Sequence, residues 1–152
     1  MKYWLMKSEP SAYSIDDLKR EKTTMWDGVR NYQVRNMMRD EMQVGDKALF
    51  YHSNTERIGV VGVMEITKES YPDPTQFDPK SEHPDPKSDP DNPRWLVVDV
   101  KFVEKLPCTI LLHEIKADTM LKNMVVAQKG SRLSVTQVSK PHFNRVLALS
   151  RK

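Results

Sequence analysis

The sequence has a single cysteine, Cys108, among its 152 residues. One cysteine cannot form an intramolecular disulfide, and its isolation suits a reducing compartment. No apolar run approaches the ~20 residues of a membrane span, and the N-terminal stretch lacks the features of a secretory signal peptide. We therefore expect a protein that contacts no membrane and is cytoplasmic, or nuclear if it comes from a eukaryote.

Metal-ligating residues and phosphate-binding loops are also scarce. The four histidines are scattered, with no cysteine pair and no two at i,i+4 spacing, which argues against a zinc site. Only five glycines are present, and no G-x-G-x-x-G, Walker or G-x-S-x-G motif occurs. The sequence thus predicts no cofactor, no metal and no catalytic constellation. Cys108 itself is interpreted as a small buried hydrophobic residue.

Charge is unevenly spread along the chain. Residues 71–93 contain six acids and two lysines, a balance of −4, which leaves +7 on the rest of a chain whose net charge is +3. This excess favours an anionic partner for the body of the protein. No block of consecutive Lys or Arg occurs, however. Contacts to a nucleic acid should therefore involve few phosphates and give a shallow salt dependence.

Hydrophobic periodicity predicts an α+β protein with short helices. Ser14, Asn31 and Ser139 are expected to cap three of those helices. Because the elements do not alternate as βαβ units would, the pattern favours a curled sheet or a partly open barrel. The predicted strands cover 2–8, 47–53, 58–70, 94–106 and 132–139, and the predicted helices cover 14–20, 32–41, 111–118 and 140–151.

A long segment, residues 71–93, interrupts this pattern and holds seven of the ten prolines. Such a composition is typical of a solvated, extended segment, although loops of this length are usually functional or mobile. We interpret it as a proline-rich acidic loop that contributes no residue to a site.

Three short segments combine aromatic and polar residues at the ends of predicted elements: KSEP (7–10), WDGVRNYQVRN (26–36) and FYHSN (50–54). A fourth, QKGSRLSV (128–135), places a basic residue beside a glycine turn. Together with YWLMKSEP at the N-terminus and WLVVDV in the strand predicted over 94–106, these motifs run in one order along nearly the whole chain. In them the chain resembles the EVE domain family, a branch of the PUA-like superfamily that also includes the YTH and ASCH domains.

The resemblance implies one EVE domain over residues 1–152, with a PUA-like, partly open β-barrel and flanking short helices. It also implies a pocket that accepts a modified nucleobase in DNA or RNA, with modified cytosine as the leading candidate. The expected molecule is a monomeric, non-catalytic nucleic-acid-binding module.

The residue types fit that chemistry. A base that leaves its stack must regain a few kcal/mol, and an aromatic platform returns ~1–3 kcal/mol per base. Trp26 and Tyr51 are the candidate platform, with Trp4 as a third wall. The remaining candidates are polar or allow close approach: Ser8, Asn31, His52 and Ser53 for the base edge, Gly28 for approach of the backbone, and Lys7, Arg30 and Arg132 for phosphates or a polar rim.

Several of these residues have equally good structural interpretations. Trp4 lies in an apolar strand, where core packing is the better explanation. Asn31 is at least as well explained as a helix cap. Tyr51 and His52 are neighbours on a strand and point to opposite faces, so only one of them should face a pocket.

Two other functions remain open at this point. ASCH relatives include amidohydrolases that use Lys, Thr and Glu, and Lys7, Ser8 and Glu9 superficially suit such a reaction on modified nucleosides. The acidic proline-rich loop could instead serve a protein-interaction module, although such loops are more often spacers.

Overall fold

The computed structural model describes all residues from 1 to 152 and contains six strands and four α-helices. Two single 3₁₀ turns, Pro74–Phe77 and Val125–Ala127, lie in the connections. The elements in chain order are β1 (Tyr3–Ser8), α1 (Ile15–Glu21), β2 (Thr23–Trp26), α2 (Tyr32–Asp40), β3 (Lys47–His52), β4 (Gly59–Pro72), β5 (Leu96–Leu111), α3 (Leu112–Ala117), β6 (Val135–Val138) and α4 (Lys140–Ser150).

The strands form one open, mixed sheet in the order β2-β5-β4-β3-β1-β6. β1 pairs with β3 in parallel, and every other neighbouring pair is antiparallel. β4 and β5 have 14 and 16 residues, and their pairing is interrupted by several register shifts, which bend and twist a sheet. The predicted α+β class, with a partly open sheet and short flanking helices, is confirmed.

The helix starts follow the local sequence. Ser14 and Asp17 form the predicted capping box at the start of α1. Asn31 accepts a hydrogen bond from the backbone N–H of Val34, and Ser139 accepts one from His142. These side chains satisfy N–H groups that the first turn of a helix leaves free, so the predicted caps are confirmed.

Glycines in β4 allow the closest approach between strands. A Cβ atom on Gly62 would lie 2.8 Å from the carbonyl oxygen of Glu104 and 2.4 Å from the Ile15 side chain. The register between β4 and β5 shifts at the same place, between Val60 and Gly62. A register shift and a close backbone approach therefore coincide at Gly62, and they let α1 pack directly onto the sheet.

The core consists of two hydrophobic clusters. The first contains Trp26 and Phe50 together with residues of α1 and α2. The second contains Tyr51 together with residues of α3 and α4. No helix is long and apolar enough to cross a membrane.

The structure corrects two interpretations made from the sequence. Cys108 is exposed rather than buried, and it lies between Lys105 and Ile110 of β5, where the pairing with β4 shifts register. Residues 71–93 are not simply a solvated loop. Asp73 and Gln76 are buried, with 0% and 1% of their surface exposed, and both hold the segment against the body of the protein. A short strand, β2, was also not predicted.

Candidate functional site

A cavity of about 600 Å³ lies at the end of β1, beside β2 and under the segment that follows β4. Its volume falls within the range of about 300–1,000 Å³ that is typical of small-molecule sites. Polar and charged groups outnumber apolar ones in its lining. We call it the base cavity, after the base-binding pocket expected from the sequence, and its lining residues are Lys7, Ser8, Glu9, Ala12, Tyr13, Thr24, Met25, Trp26, Asp27, Thr75, Ser81, Glu82 and His83.

Trp26 is the largest aromatic residue of this lining. As the last residue of β2, it pairs with Val98 of β5, which fixes its backbone at the sheet edge. Its ring packs edge-on against Phe50, with 5.3 Å between centroids and 82° between planes. Only 7% of Trp26 is exposed, so the residue is both a wall of the base cavity and part of the first core cluster.

Two charged groups of the base cavity, Asp27 and Lys7, have perturbed pKa values. Burial raises the pKa of the Asp27 carboxyl above its ordinary value, and the nearby charge of Asp73 adds to the effect. Burial lowers the pKa of the Lys7 ammonium. A carboxylate and an ammonium therefore face the same space with incomplete hydration, which strengthens any hydrogen bond that they form with a ligand.

Asp73 anchors the segment that covers the base cavity. Its carboxylate accepts hydrogen bonds from the backbone N–H of Gly28 (3.1 Å), from Arg30 Nη1 (3.0 Å) and from the N–H and hydroxyl of Thr75 (2.8 and 2.6 Å). Burial alone would raise the pKa of Asp73, but these hydrogen bonds outweigh it and hold the pKa below its usual value. The anchored segment then carries Thr75 into the cavity wall.

Gln76 is the second anchor. Its amide nitrogen donates to the carbonyls of Asp73 (2.7 Å) and Trp95 (2.9 Å), and its amide oxygen accepts from Ser88 (2.6 Å) and from the N–H of Trp95 (3.1 Å). A buried amide with all of these bonds satisfied holds its surroundings firmly. Further along the segment, the His83 ring lies against Gly28, where a Cβ atom would be 2.8 Å from two ring atoms.

Three of the residues predicted from the sequence line the base cavity, namely Trp26, Lys7 and Ser8. The Ser8 hydroxyl already donates to the carbonyl of Tyr13 at 2.6 Å, so it is available to a ligand as an acceptor. Lys7 forms no ion pair, and its nitrogen lies 5.8 Å from the centre of the Tyr51 ring.

Two of the predicted aromatic residues lie elsewhere. Trp4 is fully buried and its indole N–H donates to the carboxylate of Asp46 at 3.0 Å, so it is a core residue and not a third wall. Tyr51 is 2% exposed and belongs to the second core cluster, because it points to the other face of β3 from Phe50. Its burial raises the pKa of its hydroxyl to about 12. Neither residue lines the base cavity.

The two residues that follow Tyr51, His52 and Ser53, also have structural roles. His52 Nε2 accepts a hydrogen bond of 3.1 Å from the backbone N–H of Ile15, at the start of α1. This nitrogen therefore carries no proton and the ring is neutral, in agreement with the lowering of the His52 pKa by burial. Ser53 donates its backbone N–H to the carbonyl of Ser8 at 3.0 Å, and its side chain does not line the base cavity.

Gly28 and Arg30 hold the covering segment. Gly28 has a φ of +79° and donates its N–H to Asp73, and the close approach that it permits is that of His83. Arg30 binds Asp73, Thr75 and the carbonyl of His83. The guanidinium is committed to these partners, so the predicted role at a phosphate does not fit its position.

Asn31 and Arg132 lie at a second, open cavity of about 410 Å³. Asn31 caps α2, as the alternative interpretation of this residue held. Arg132 is exposed and forms no ion pair with any carboxylate, since none of the ion pairs in the protein involves it.

Sequence reasoning missed most of the polar lining. Asp27 follows Trp26 directly and could have been found from that adjacency. The contribution of Thr75, Ser81 and His83 was signalled only by the length of the proline-rich segment, because loops of this size in a compact protein are usually functional.

Comparison with known proteins is informative over the whole chain. The family model of the EVE domain matches residues 2–149. Human thymocyte nuclear protein 1 is 44% identical to this chain, with 99% of this chain and 74% of that protein covered.

Solved structures agree with this relationship. A protein from Pseudomonas syringae has a TM-score of 0.94 and 43% identity, with 97% of this chain and 99% of that chain covered. Human THYN1 protein in complex with 5-methylcytosine containing DNA has a TM-score of 0.92 and 44% identity, with 100% and 99% covered. The match in sequence and fold extends from β1 to α4, and the chain therefore belongs to the EVE domain family.

Proposed function

We propose that this protein binds DNA that carries a modified cytosine, and that the modified base enters the base cavity. The observation that carries the proposal is the lining of this cavity, where an aromatic wall, Trp26, stands beside a carboxylate, an ammonium and several hydroxyls. The 5-methylcytosine containing DNA bound to human THYN1 protein gives the class of ligand, because that structure matches this chain throughout.

The polar lining fits the edge of cytosine better than that of thymine. Cytosine has one hydrogen-bond donor, its N4 amino group, from which an acidic side chain can accept. It also has two acceptors, N3 and O2. Asp27 supplies the acceptor and Lys7 supplies a donor. Thymine presents an acceptor at position 4, which would face the Asp27 carboxylate without a hydrogen bond.

Burial of the 5-methyl group sets the scale of selectivity. One buried methyl contributes about 0.8 kcal/mol, which corresponds to roughly fourfold preference over unmodified cytosine. A larger preference would require a polar group that the wrong base leaves unpaired. We therefore expect a modest ratio between modified and unmodified cytosine and a larger penalty for thymine.

The test is a fluorescence anisotropy titration with duplexes that differ at one position, which holds cytosine, 5-methylcytosine or thymine. We expect tighter binding of the 5-methylcytosine duplex by about fourfold. The matched RNA series shows whether the preference extends to RNA. Equal affinity for all three DNA duplexes would contradict the proposal.

The informative variant is Trp26→Phe rather than Trp26→Ala. Because Trp26 packs on Phe50, truncation to alanine would cost about 3–5 kcal/mol of folding free energy and confuse binding with unfolding. Trp26→Phe keeps an aromatic ring but shrinks the platform, and we expect about 3- to 10-fold weaker binding of the modified duplex. Phe143→Leu is the control, since Phe143 is a buried aromatic residue of the second core cluster and does not line the cavity.

One observation favours a second candidate, a hydrolase that acts on modified nucleosides. Lys7, Thr24 and Glu9 all line the base cavity, which places the three residue types of that chemistry around one space. Incubation of the protein with modified cytidines, followed by chromatography of the products, separates the two candidates. A binding module returns the nucleoside unchanged, whereas a hydrolase releases a product at a rate that Lys7→Gln abolishes.

A further inference from the structure

The second cavity lies between the N-terminus of α2 and the turn formed by residues 128–133, which we call the basic turn. Its lining contains two cations, Lys129 and Arg132, and no acidic residue. Both side chains are exposed, and neither belongs to any ion pair. Two cations without a neutralising carboxylate around one open cavity attract an anion.

The backbone of the basic turn adds uncharged donors. Within the turn, Ser131 donates its N–H to the carbonyl of Gln128, whereas the N–H groups of Lys129, Gly130 and Arg132 have no partner in the protein. Gly130 has a φ of +81°, so successive N–H groups can point to one side, as they do in anion-binding nests. The Ser131 hydroxyl is likewise without a hydrogen-bond partner.

The N-terminus of α2 faces the same cavity through its cap, Asn31. The first turn of this nine-residue helix contains no acidic side chain, so the positive end of its dipole is not neutralised locally. The basic turn and the helix end come from distant parts of the chain, and both favour a negatively charged group.

The basic turn also lies next to the base cavity. The N–H of Lys7, which lines the base cavity, donates to the carbonyl of Ser134 at 2.8 Å, directly after the turn. Leu133, which lines the second cavity, packs against the core cluster that contains Trp26. An anion in the second cavity would therefore lie near the base cavity.

From this arrangement we infer that the basic turn binds a phosphodiester group of the nucleic acid, next to the nucleotide whose base occupies the base cavity. The inference rests on the proposed function, because it takes its ligand from there. Lys129, Arg132 and the free N–H groups of the turn hold the phosphate. This contact positions the strand and does not read the base.

The test compares two double variants that remove the same charge. Lys129→Gln/Arg132→Gln deletes the cations of the basic turn, and Lys140→Gln/Lys152→Gln deletes two exposed, unpaired lysines of α4 and the C-terminus. Each phosphate contact contributes a slope of about −0.9 to the plot of log affinity against log salt for duplex DNA. We expect the first variant to lose about 0.9 of slope and to bind both modified and unmodified duplexes about 8-fold more weakly at 0.1 M salt.

A second pair tests the backbone donors. Gly130→Val forces a β-branched residue into a positive φ and distorts the turn, whereas Gly45→Val applies the same strain in a different turn. Neither new side chain meets a neighbouring atom within 4 Å of its Cβ. We expect only Gly130→Val to weaken DNA binding. Equal affinity of the two glycine variants would overturn the role of the backbone N–H groups in holding the phosphate.

The outcomes separate the two claims. If Lys129→Gln/Arg132→Gln binds with the salt slope and affinity of the control while the wild type still prefers 5-methylcytosine, the inference about the turn fails and the proposed function stands. If that variant loses the preference but keeps its general affinity, the turn reads the base and the inference fails. A wild type without any preference removes the proposed function itself.

Discussion

At the scale of single residues, Asp27 has a unique position in the base cavity. Its carboxylate loses hydration and lies near the charge of Asp73, and its pKa is raised as a result. Residues at ligand sites commonly destabilise the folded protein, because binding sites trade stability for function. Asp27 should therefore show opposite effects on stability and on binding when its charge is removed.

We expect Asp27→Asn to stabilise the protein at neutral pH by at most about 1 kcal/mol, because solvent screens a partly exposed carboxylate. The sign follows from the raised pKa: the folded state disfavours the charged form, so the destabilisation is present above the raised pKa. It disappears as the pH falls below the ordinary value of 3.8. Urea denaturation of wild type and variant at several pH values measures this difference.

The same variant should bind the 5-methylcytosine duplex about fivefold more weakly, because a charge-assisted hydrogen bond becomes a neutral one. The wild-type affinity should fall as the pH drops through the raised pKa of Asp27, and the variant should not share that step. An Asp27→Asn protein that is less stable than wild type at neutral pH would contradict this account of the carboxyl.

Some site residues could be found from the sequence because their signal is local. Trp26, Lys7 and Ser8 stand where an aromatic residue meets polar ones at the end of a strand, and all three line the base cavity. Trp4 and Tyr51 have the same residue type and the same position near a strand end. Their side chains enter the core because of the face on which each lies, which depends on what packs there.

At the scale of elements, the segment between β4 and β5 depends on a single buried carboxylate. Asp73 joins Gly28, Arg30 and Thr75, so it ties this segment to the stretch between β2 and α2. Both sides of this connection contribute to the base cavity, through Asp27 on one side and Thr75 on the other. The anchor thus connects two walls of the cavity.

We expect Asp73→Asn to destabilise the protein by about 1–3 kcal/mol, because the amide group places an N–H donor opposite donors and leaves Arg30 without its counter-ion. The hydrogen bonds lower the pKa of Asp73, so its contribution is present above the ordinary pKa of 3.8 and is lost as the pH falls through the lowered value. Hydrogen exchange at the N–H groups of Gly28 and Thr75 should quicken in the variant.

Glu82→Gln is the control for that experiment, since Glu82 also belongs to the segment and lines the cavity but forms no ion pair or hydrogen bond to the body of the protein. Exchange at Gly28 should keep its wild-type rate in Glu82→Gln. An equal increase in the exchange rate at Gly28 in both variants would show that charge in the segment, and not the Asp73 anchor, holds the segment in place.

The helices and the segment differ in how much their sequence reveals. The caps Ser14, Asn31 and Ser139 act within four residues, so the helix starts could be predicted from local pattern alone. β2 was missed because its four residues show no alternation of buried and exposed positions. The anchors Asp73 and Gln76 were missed because their partners are distant in sequence, and a buried Asp among prolines looks the same as a solvated one.

At the scale of the whole molecule, the base cavity joins three distant stretches: residues 7–13, 24–27 and 75–83. In the strand order β1 and β2 are separated by β3, β4 and β5, so the first two stretches meet at one cavity only because the sheet curls. Within the sheet, β1 pairs with β3 in parallel. Parallel pairing across more than forty residues has no local signal in the sequence. Only the resemblance to the EVE family could predict that these stretches meet.

Charge at this scale limits how the protein meets a nucleic acid. The net charge is +3, and the covering segment places Glu82 at the base cavity, so no broad positive face surrounds the site. Binding must then depend on a few defined phosphate contacts together with the base itself. With two or three such contacts, the slope of log affinity against log salt should be about −1.8 to −2.7 for duplex DNA.

Anisotropy titrations of the wild type between low and high salt measure this slope directly. The preference for 5-methylcytosine over cytosine should stay constant across the series, because it arises from burial of a methyl group and from hydrogen bonds inside the cavity, which counterions do not reach. A slope steeper than about −5 would require more phosphate contacts than the basic turn and its surroundings offer. That result would place the main nucleic-acid-binding surface outside both cavities, on a face where several cations bind phosphates together.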